Sequence, residues 1–221
     1  LIPRPETEEL VDWSLNELEG KGSRTLNTGV IELVEMPKQR NEEISILDIC
    51  SGSGCIALAL KSRLPGSNVI AWEFSGDAIS LIKENSVFTG LEISLIHADA
   101  LTDSYSELMP GPVDVVVSNP PYIPYKDKEI MEANVLKYEP DMALFVENED
   151  PLIFYREIIN RSKTILKKDG WLYFEIHEDL SEGVKRLFEQ SNFVNIELRK
   201  DLQGKDRMMR GQVVTSMHER Q

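Results

Sequence analysis

The sequence predicts an α/β fold with one mostly parallel sheet of seven strands and helices on both faces. Three observations carry this: short apolar runs alternate with segments of helical period, the first run ends in a glycine-rich turn, and the fourth ends in two prolines. At 221 residues, with 41% hydrophobic and 28% charged residues, the chain is long enough to bury a single core. One domain over residues 1–221 is therefore expected.

In chain order, residues 6–18 read as a leading helix, with Pro5 at its start and Gly20 past its end. Residues 19–43 are rich in Gly, Asn, Glu and Lys with weak periodicity and read as a flexible linker or hairpin. They precede a core of residues 44–216. Strands are expected near 46–50, 69–73, 93–97, 113–118, 171–177, 194–198 and 208–214. Helices are expected over 55–63, 77–88, 151–167 and 180–190, where apolar residues recur at helical spacing and most segments end near a Gly, Pro or Asn.

The formal net charge is -14, the wrong sign for a protein that binds by neutralising phosphates, and it favours a basic protein partner. No apolar run approaches a membrane span and the start lacks a signal-peptide pattern, so a soluble, cytoplasmic protein is expected. The only cysteines, Cys50 and Cys55, flank the glycine turn without a second ligand pair, so neither a metal site nor a disulfide framework is expected.

Asp48-Ile49-Cys50-Ser51-Gly52-Ser53-Gly54 carries the chain from strand to helix. Glycines let a ligand approach the backbone, and the helix start supplies free N–H groups, so a nucleotide-like cofactor should sit here. Gly52, Gly54 and Ala57 fit a dinucleotide pattern, and Glu73 follows at the distance of an acid that binds ribose hydroxyls. Alone, this leaves a nicotinamide dinucleotide and S-adenosylmethionine both open. Asp48 tilts the choice to the second, because an acid before the turn repels a pyrophosphate but suits an ammonium and a sulfonium. Asp99, after the third strand, could bind an adenine amino group or serve only as a loop cap.

Asn119-Pro120-Pro121-Tyr122 follows the strand 113–118 at its carboxyl end, where ligands bind in open α/β sheets. The prolines fix the chain direction and leave carbonyl oxygens free. A planar NH2 is a poor nucleophile because its lone pair is delocalised. The Asn119 side-chain oxygen and the Pro120 carbonyl can each accept one N–H and turn that nitrogen toward an electrophilic methyl, while Tyr122 packs on the planar group.

Taken in order, Leu1-Ile2-Pro3-Arg4-Pro5-Glu6-Thr7-Glu8, the Asp48–Gly54 turn, Ser118-Asn119-Pro120-Pro121-Tyr122-Ile123 and Tyr138-Glu139-Pro140-Asp141-Met142-Ala143-Leu144 resemble the HemK/PrmC protein-(glutamine-N5) methyltransferases, from Leu1 to about Gly211. The resemblance implies a seven-stranded class I (Rossmann-like) S-adenosylmethionine-dependent methyltransferase fold. It also implies methylation of the glutamine in the Gly-Gly-Gln motif of peptide chain release factors, which would be the protein partners. It places the cofactor on Asp48, Cys50, Ser51, Gly52, Ser53, Gly54, Glu73, Asp99, Ala100 and Asn119. The substrate glutamine falls to Asn119, Pro120, Pro121 and Tyr122, with Arg4, Glu8 and Glu139 shaping its side of the pocket or serving as scaffold. Family members carry a small helical domain ahead of this region, which is expected to be missing from a chain that begins at Leu1. Two departures stand out: Cys50 replaces the family's usual first turn glycine, and Ala100 stands where some members place a larger residue against the adenine.

Elsewhere, His97 and His177 read as structural, Cys50 and Cys55 as packing residues, and Trp13, Trp72 and Trp171 as core or rim. The cluster Arg199, Lys200, Lys205, Arg207 and Arg210 reads as a solvated basic surface. Two other functions fit less of the sequence: nucleobase amino-methylation of DNA or RNA, and a cofactor-binding module without catalysis.

Overall fold

The computed structural model describes residues 5–18, 21–25, 31–35, 43–121, 123–124, 145–146 and 150–214. In chain order the elements are α1 (Pro5–Leu18), β1 (Lys21–Thr25), β2 (Ile31–Glu35), β3 (Ser45–Ile49), α2 (Cys55–Arg63), β4 (Asn68–Glu73), α3 (Gly76–Thr89), β5 (Ser94–His97) and α4 (Tyr105–Leu108). They continue with β6 (Val113–Ser118), β7 (Ile123–Pro124), β8 (Phe145–Val146), α5 (Ile153–Ser162), β9 (Leu166–Glu175), α6 (Ser181–Gln190), β10 (Phe193–Lys200) and β11 (Asp206–Val213).

The main sheet has seven strands in the order β10-β11-β9-β6-β3-β4-β5. Strands β9, β6, β3, β4 and β5 pair in parallel, and β11 runs antiparallel to both β9 and β10. Both faces of the central strands are covered, which is why they read as continuous apolar runs. Leu47, Ile49, Ile70, Trp72 and Val116 pack with Tyr105 of α4, Tyr155 and Ile158 of α5, and Val184 and Phe188 of α6. Their neighbours Ile46, Val69, Ala71, Val115 and Val117 pack on the opposite face with Leu10 and Trp13 of α1, Ile56 and Leu60 of α2, and Ile82 of α3. The expected seven-strand, mostly parallel architecture is the observed one.

Two expectations need correction. The helix expected over 151–167 stops at Ser162, and β9 begins at Leu166, which pairs with Val113. The switch needs the glycine that follows: a Cβ on Gly170 would meet the Lys167 carbonyl at 2.9 Å and the Asp114 carbonyl at 3.1 Å. The segment read as a flexible linker or hairpin holds an antiparallel pair, β1 with β2, from Lys21↔Glu35 to Thr25↔Ile31, which is the second of those alternatives. The basic cluster is solvated only in part: Arg199, Lys200 and Lys205 are exposed, Arg207 is half-buried and Arg210 is buried. Arg210 is buried because β11 lies inside the sheet; its guanidinium sits 4.1 Å from the Trp171 ring centroid and 5.0 Å from that of Trp13, and it bonds the Tyr173 hydroxyl at 3.1 Å. Arg199 stacks on Trp13 at 4.2 Å, while Lys200, Lys205 and Arg207 pair with Asp206, Glu178 and Asp201. These cation–aromatic contacts clamp α1 to the β9-β11-β10 edge.

Among the described residues, no helix is long and apolar enough to cross a membrane.

Candidate active site

The sheet reverses its strand order at β3. From β3 the chain steps to β4 and β5 on one side, then returns as β6 on the other, so the carboxyl ends of β3 and β6 border the crevice where open α/β sheets bind ligands. Ile49 and Ser118 are paired across that crevice, and the Ser118 hydroxyl donates to the Ile49 carbonyl at 2.7 Å. The glycine turn and the Asn-Pro-Pro segment therefore leave adjacent strands side by side.

Left-handed backbone at Cys50 (φ 59°), Gly52 (φ 56°) and Gly54 (φ 77°) curls the turn. Ser51 fastens it: its N–H and hydroxyl reach the Trp72 carbonyl at 3.2 and 3.3 Å, and the hydroxyl also donates to the Asp48 carbonyl at 2.6 Å. Ser53 is buried, and its carbonyl accepts from the Asn85 side chain of α3 at 3.0 Å. A Cβ on Gly54 would lie 3.2 Å from Ile82, whereas one on Gly52 would meet nothing within 4 Å. Gly52 thus leaves open the space a cofactor would need. Cys50 adopts the left-handed conformation that glycine takes without cost. Replacing it by glycine removes strain of about 1–2 kcal/mol but adds unfolded-chain entropy of about 0.5–1 kcal/mol. Cys50→Gly is therefore expected to stabilise the fold by about 0.5 kcal/mol in urea denaturation; a loss of stability would show that thiol packing outweighs the strain.

Acidic groups surround the turn. Asp48 is fully buried; one carboxylate oxygen accepts the Ala57 N–H of the first turn of α2 at 3.1 Å, and the other has no hydrogen-bond partner. Burial pushes its pKa up to about 8, the Glu73 charge adds to the shift, and the Ala57 and Ser51 donors oppose it. An orphaned buried oxygen beside the turn fits a cationic ligand group. Glu73 ends β4 with Oε2 accepting from Gly52 N at 2.8 Å and Oε1 accepting from Phe74 N at 2.9 Å and Ser75 N at 2.8 Å. Its carboxylate is fixed by the backbone, and Oε2 keeps acceptor capacity for a hydroxyl. Burial, with the charges of Glu73, Asp48 and Asp99, drives the Cys50 thiol pKa well up, so it is no nucleophile at neutral pH.

Asp99 shows the capping role: its carboxylate accepts from Leu101 N at 2.8 Å. Ala100 is buried in the core cluster that holds Tyr105, whose hydroxyl donates to the Ala100 carbonyl at 3.1 Å. Its methyl is thus taken up by packing.

On the acceptor side Asn119 is half-buried and Pro120 and Pro121 are buried. Tyr122, Arg4 and Glu139 lie outside the described residues, and Glu8 is exposed on α1. Glu8 lines a groove of about 260 Å³ between α1 and α2, together with Thr7, Val11, Asp12, Cys55, Ala59 and Arg63. His97 bonds the Phe74 carbonyl at 2.9 Å, and the His177 ring accepts from Asp179 N at 3.2 Å, both structural uses.

Two features were missed in the sequence. Phe74 is 51% exposed although large and apolar. An aromatic residue directly after the strand-end acid, next to the turn, suits a flat ring, and its position beside Glu73 was the available signal. The other is Glu175, buried at the end of β9, which accepts from the Thr7 hydroxyl at 3.0 Å. No local signal joins residues so far apart.

The methyltransferase small domain family model matches residues 22–138. A release factor glutamine methyltransferase of Flavobacterium psychrophilum is 40% identical over 95% of this chain and 67% of its own length; one of Bacteroides thetaiotaomicron is 37% identical over 95% and 66%. The chain spans about two thirds of the length of these curated relatives. Among solved structures, a methyltransferase from Pyrococcus furiosus superposes with a TM-score of 0.64 at 13% identity, over 97% of this chain and 85% of its own. The release factor-specific protein-(glutamine-N5) methyltransferase of Alicyclobacillus acidocaldarius gives 0.52 at 23% identity, over 97% and 95%. The structural likenesses carry the class I methyltransferase fold, and the sequence likeness carries more: the chain belongs to the release factor glutamine methyltransferase family.

Proposed function

We propose that this domain transfers the methyl group of S-adenosylmethionine to the side-chain amide nitrogen of the glutamine in the Gly-Gly-Gln motif of peptide chain release factors. The observation that carries the reading is that Asn119-Pro120-Pro121 and the glycine turn leave paired strands side by side at the point where the sheet reverses, next to the Ser118–Ile49 bond. The names of the relatives support the substrate.

S-adenosylmethionine supplies an electrophilic methyl on a sulfonium. Glu73 is placed to receive ribose hydroxyls, Asp48 to balance the ligand's positive charge, and Phe74 to lie against the adenine. Asn119 Oδ1 and the Pro120 carbonyl accept one amide N–H each, which holds the NH2 plane and aims the nitrogen lone pair at the methyl carbon. The buried prolines keep water away and their carbonyl direction fixed. Positioning and electrostatics do the work, with no covalent intermediate on the protein: as the N–C bond forms, the methyl's bond to sulfur would break to leave a neutral thioether, and the surplus amide proton would pass to solvent.

Incubation with radiolabelled S-adenosylmethionine and a release factor, followed by mass-spectrometric mapping, should place one methyl on the Gly-Gly-Gln glutamine. No label at that residue, from this chain and from a longer form resembling its relatives in length, would overturn the reading. Nucleobase methylation lacks comparable support, since a net charge of -14 opposes the approach of a phosphate backbone.

The buried acid gives a pH signature. Because the folded state raises the Asp48 pKa from 3.8 to about 8, the folded form holds a proton that the unfolded chain releases. Its contribution favours folding below the unfolded value and is lost as pH rises toward about 8. A cationic ligand prefers the ionised acid. Affinity for S-adenosylmethionine should therefore rise by more than about tenfold between about pH 6 and about pH 7.5 in calorimetric titrations, with proton release to the buffer. A pH-independent Kd with no proton release would exclude the coupling.

A further inference from the structure

A buried carboxylate is costly unless the structure uses it, and the proposed chemistry leaves Glu175 without a task. Its surroundings are specific. Glu175 closes β9, one residue beyond the Phe174–Ser118 pair, so it and Asn119 leave the sheet edge next to each other, about one strand spacing of ~5 Å apart. Side chains alternate along β9: Phe174 joins the cluster under α5 and α6, Tyr173 joins the one under α1, and Glu175 falls on the α1 side. There it accepts the Thr7 hydroxyl at 3.0 Å, a buried bond spanning 168 residues of chain. Its own carbonyl accepts from the Tyr155 hydroxyl of α5 at 3.3 Å. The Cys55 thiol, at the start of α2 directly after the cofactor turn, feels its charge. One residue thus touches or borders α1, the glycine turn, α5 and the acceptor segment.

We propose that Thr7 and Glu175 form a positioning pair, in which the carboxylate anchors the first turn of α1 beside Asn119 and so sets the wall against which the substrate amide is oriented. The inference rests on the glutamine-amide reading of the pocket. Neither residue is assigned a contact with the methyl group, and neither exchanges a proton with substrate. The pair acts through the wall it holds.

The experiment uses the whole chain, with kcat and KM for a release factor and Kd for S-adenosylmethionine measured separately. Thr7→Val removes the donor at nearly constant volume. It is expected to lower kcat by about tenfold to hundredfold, the scale of a misplaced reactant, with cofactor Kd within about twofold. Thr7→Ser restores the hydroxyl and should recover most of that loss. Glu175→Gln keeps shape and an acceptor for Thr7, so it should retain kcat within about threefold, whereas a proton-transferring carboxylate would lose far more. If Thr7→Val does not fold, Thr7→Ala gives the same readout without overpacking. Wild-type kcat in folded Thr7→Val, or failure of Thr7→Ser to recover activity, would overturn the pair's role while leaving the glutamine reading standing. A wild type that methylates no glutamine overturns that reading, and the inference falls with it.

Discussion

Asn119→Ala is expected to lower kcat for glutamine methylation by about 10²–10³, the usual loss when one preorganised hydrogen-bonding group at a reacting centre is removed. The reason is geometric. Asn119 emerges from β6 immediately after the buried Ser118, whose hydroxyl is tied to β3, so its position is set by the sheet. Without its oxygen only the Pro120 carbonyl would restrain the amide, and the NH2 plane could rotate away from the methyl. The glycine turn, Glu73 and Asp48 are untouched by the change, so Kd for S-adenosylmethionine should stay within a few-fold. Stopped turnover with retained calorimetric binding is the expected pattern. Equal product formation by mutant and wild type would remove Asn119 from the mechanism.

Glu73→Ala should act on the other half of the site. Its carboxylate accepts three backbone N–H groups, from Gly52, Phe74 and Ser75. On the proposed reading, removing it would deprive the ribose of its acceptor and loosen the turn in the same stroke. Hydrogen bonds to charged groups contribute about 1.5–3 kcal/mol each, so loss of the ribose contacts and part of the turn order should raise Kd for S-adenosylmethionine by about a hundredfold. The kcat at saturating cofactor should change much less. Glu73→Gln will not rescue binding, because N–H donors face both oxygens and an amide NH2 would confront one of them. An unchanged Kd in Glu73→Ala would reduce the acid to a staple for the turn.

The parts of the molecule legible in sequence are those in which local chemistry and tertiary demand agree. Val113 to Ser118 reads as a central strand because both its faces are buried, and the structure gives the same limits. Helix α2 was likewise bounded correctly at Cys55–Arg63, since the preceding glycines and the following Pro65-Gly66 both mark its ends. The reading failed where a long-range partner decides. Leu166 continues a helical apolar period, yet Val113 claims it for a strand. Arg210 looks like one more surface cation, and only the placement of β11 between β9 and β10 puts it among tryptophans. Within the site, Asp48, Cys50, Ser51, Gly52, Ser53, Gly54, Glu73 and Asn119 gather at one crevice. Thr7 and Glu175 meet only because α1 packs on β9, which no pattern within a short window could reveal.

The clamp on the leading helix also bears on how the molecule assembles. Trp13 finds its cations on β10 and β11, nearly the whole chain away, so closing that contact carries the loop-closure cost of almost the entire sequence. During synthesis the helix is made first and can pack on α2 and β9, yet the cations that cover Trp13 arrive only with the final strands. The cation–aromatic clamp is therefore the last contact of α1 that the chain can close, whereas the Thr7–Glu175 bond needs no strand beyond β9. A chain truncated before β10 keeps both partners of the β3–β4 pairing, of the glycine turn and of the Thr7–Glu175 bond, and loses the arginines that cover Trp13.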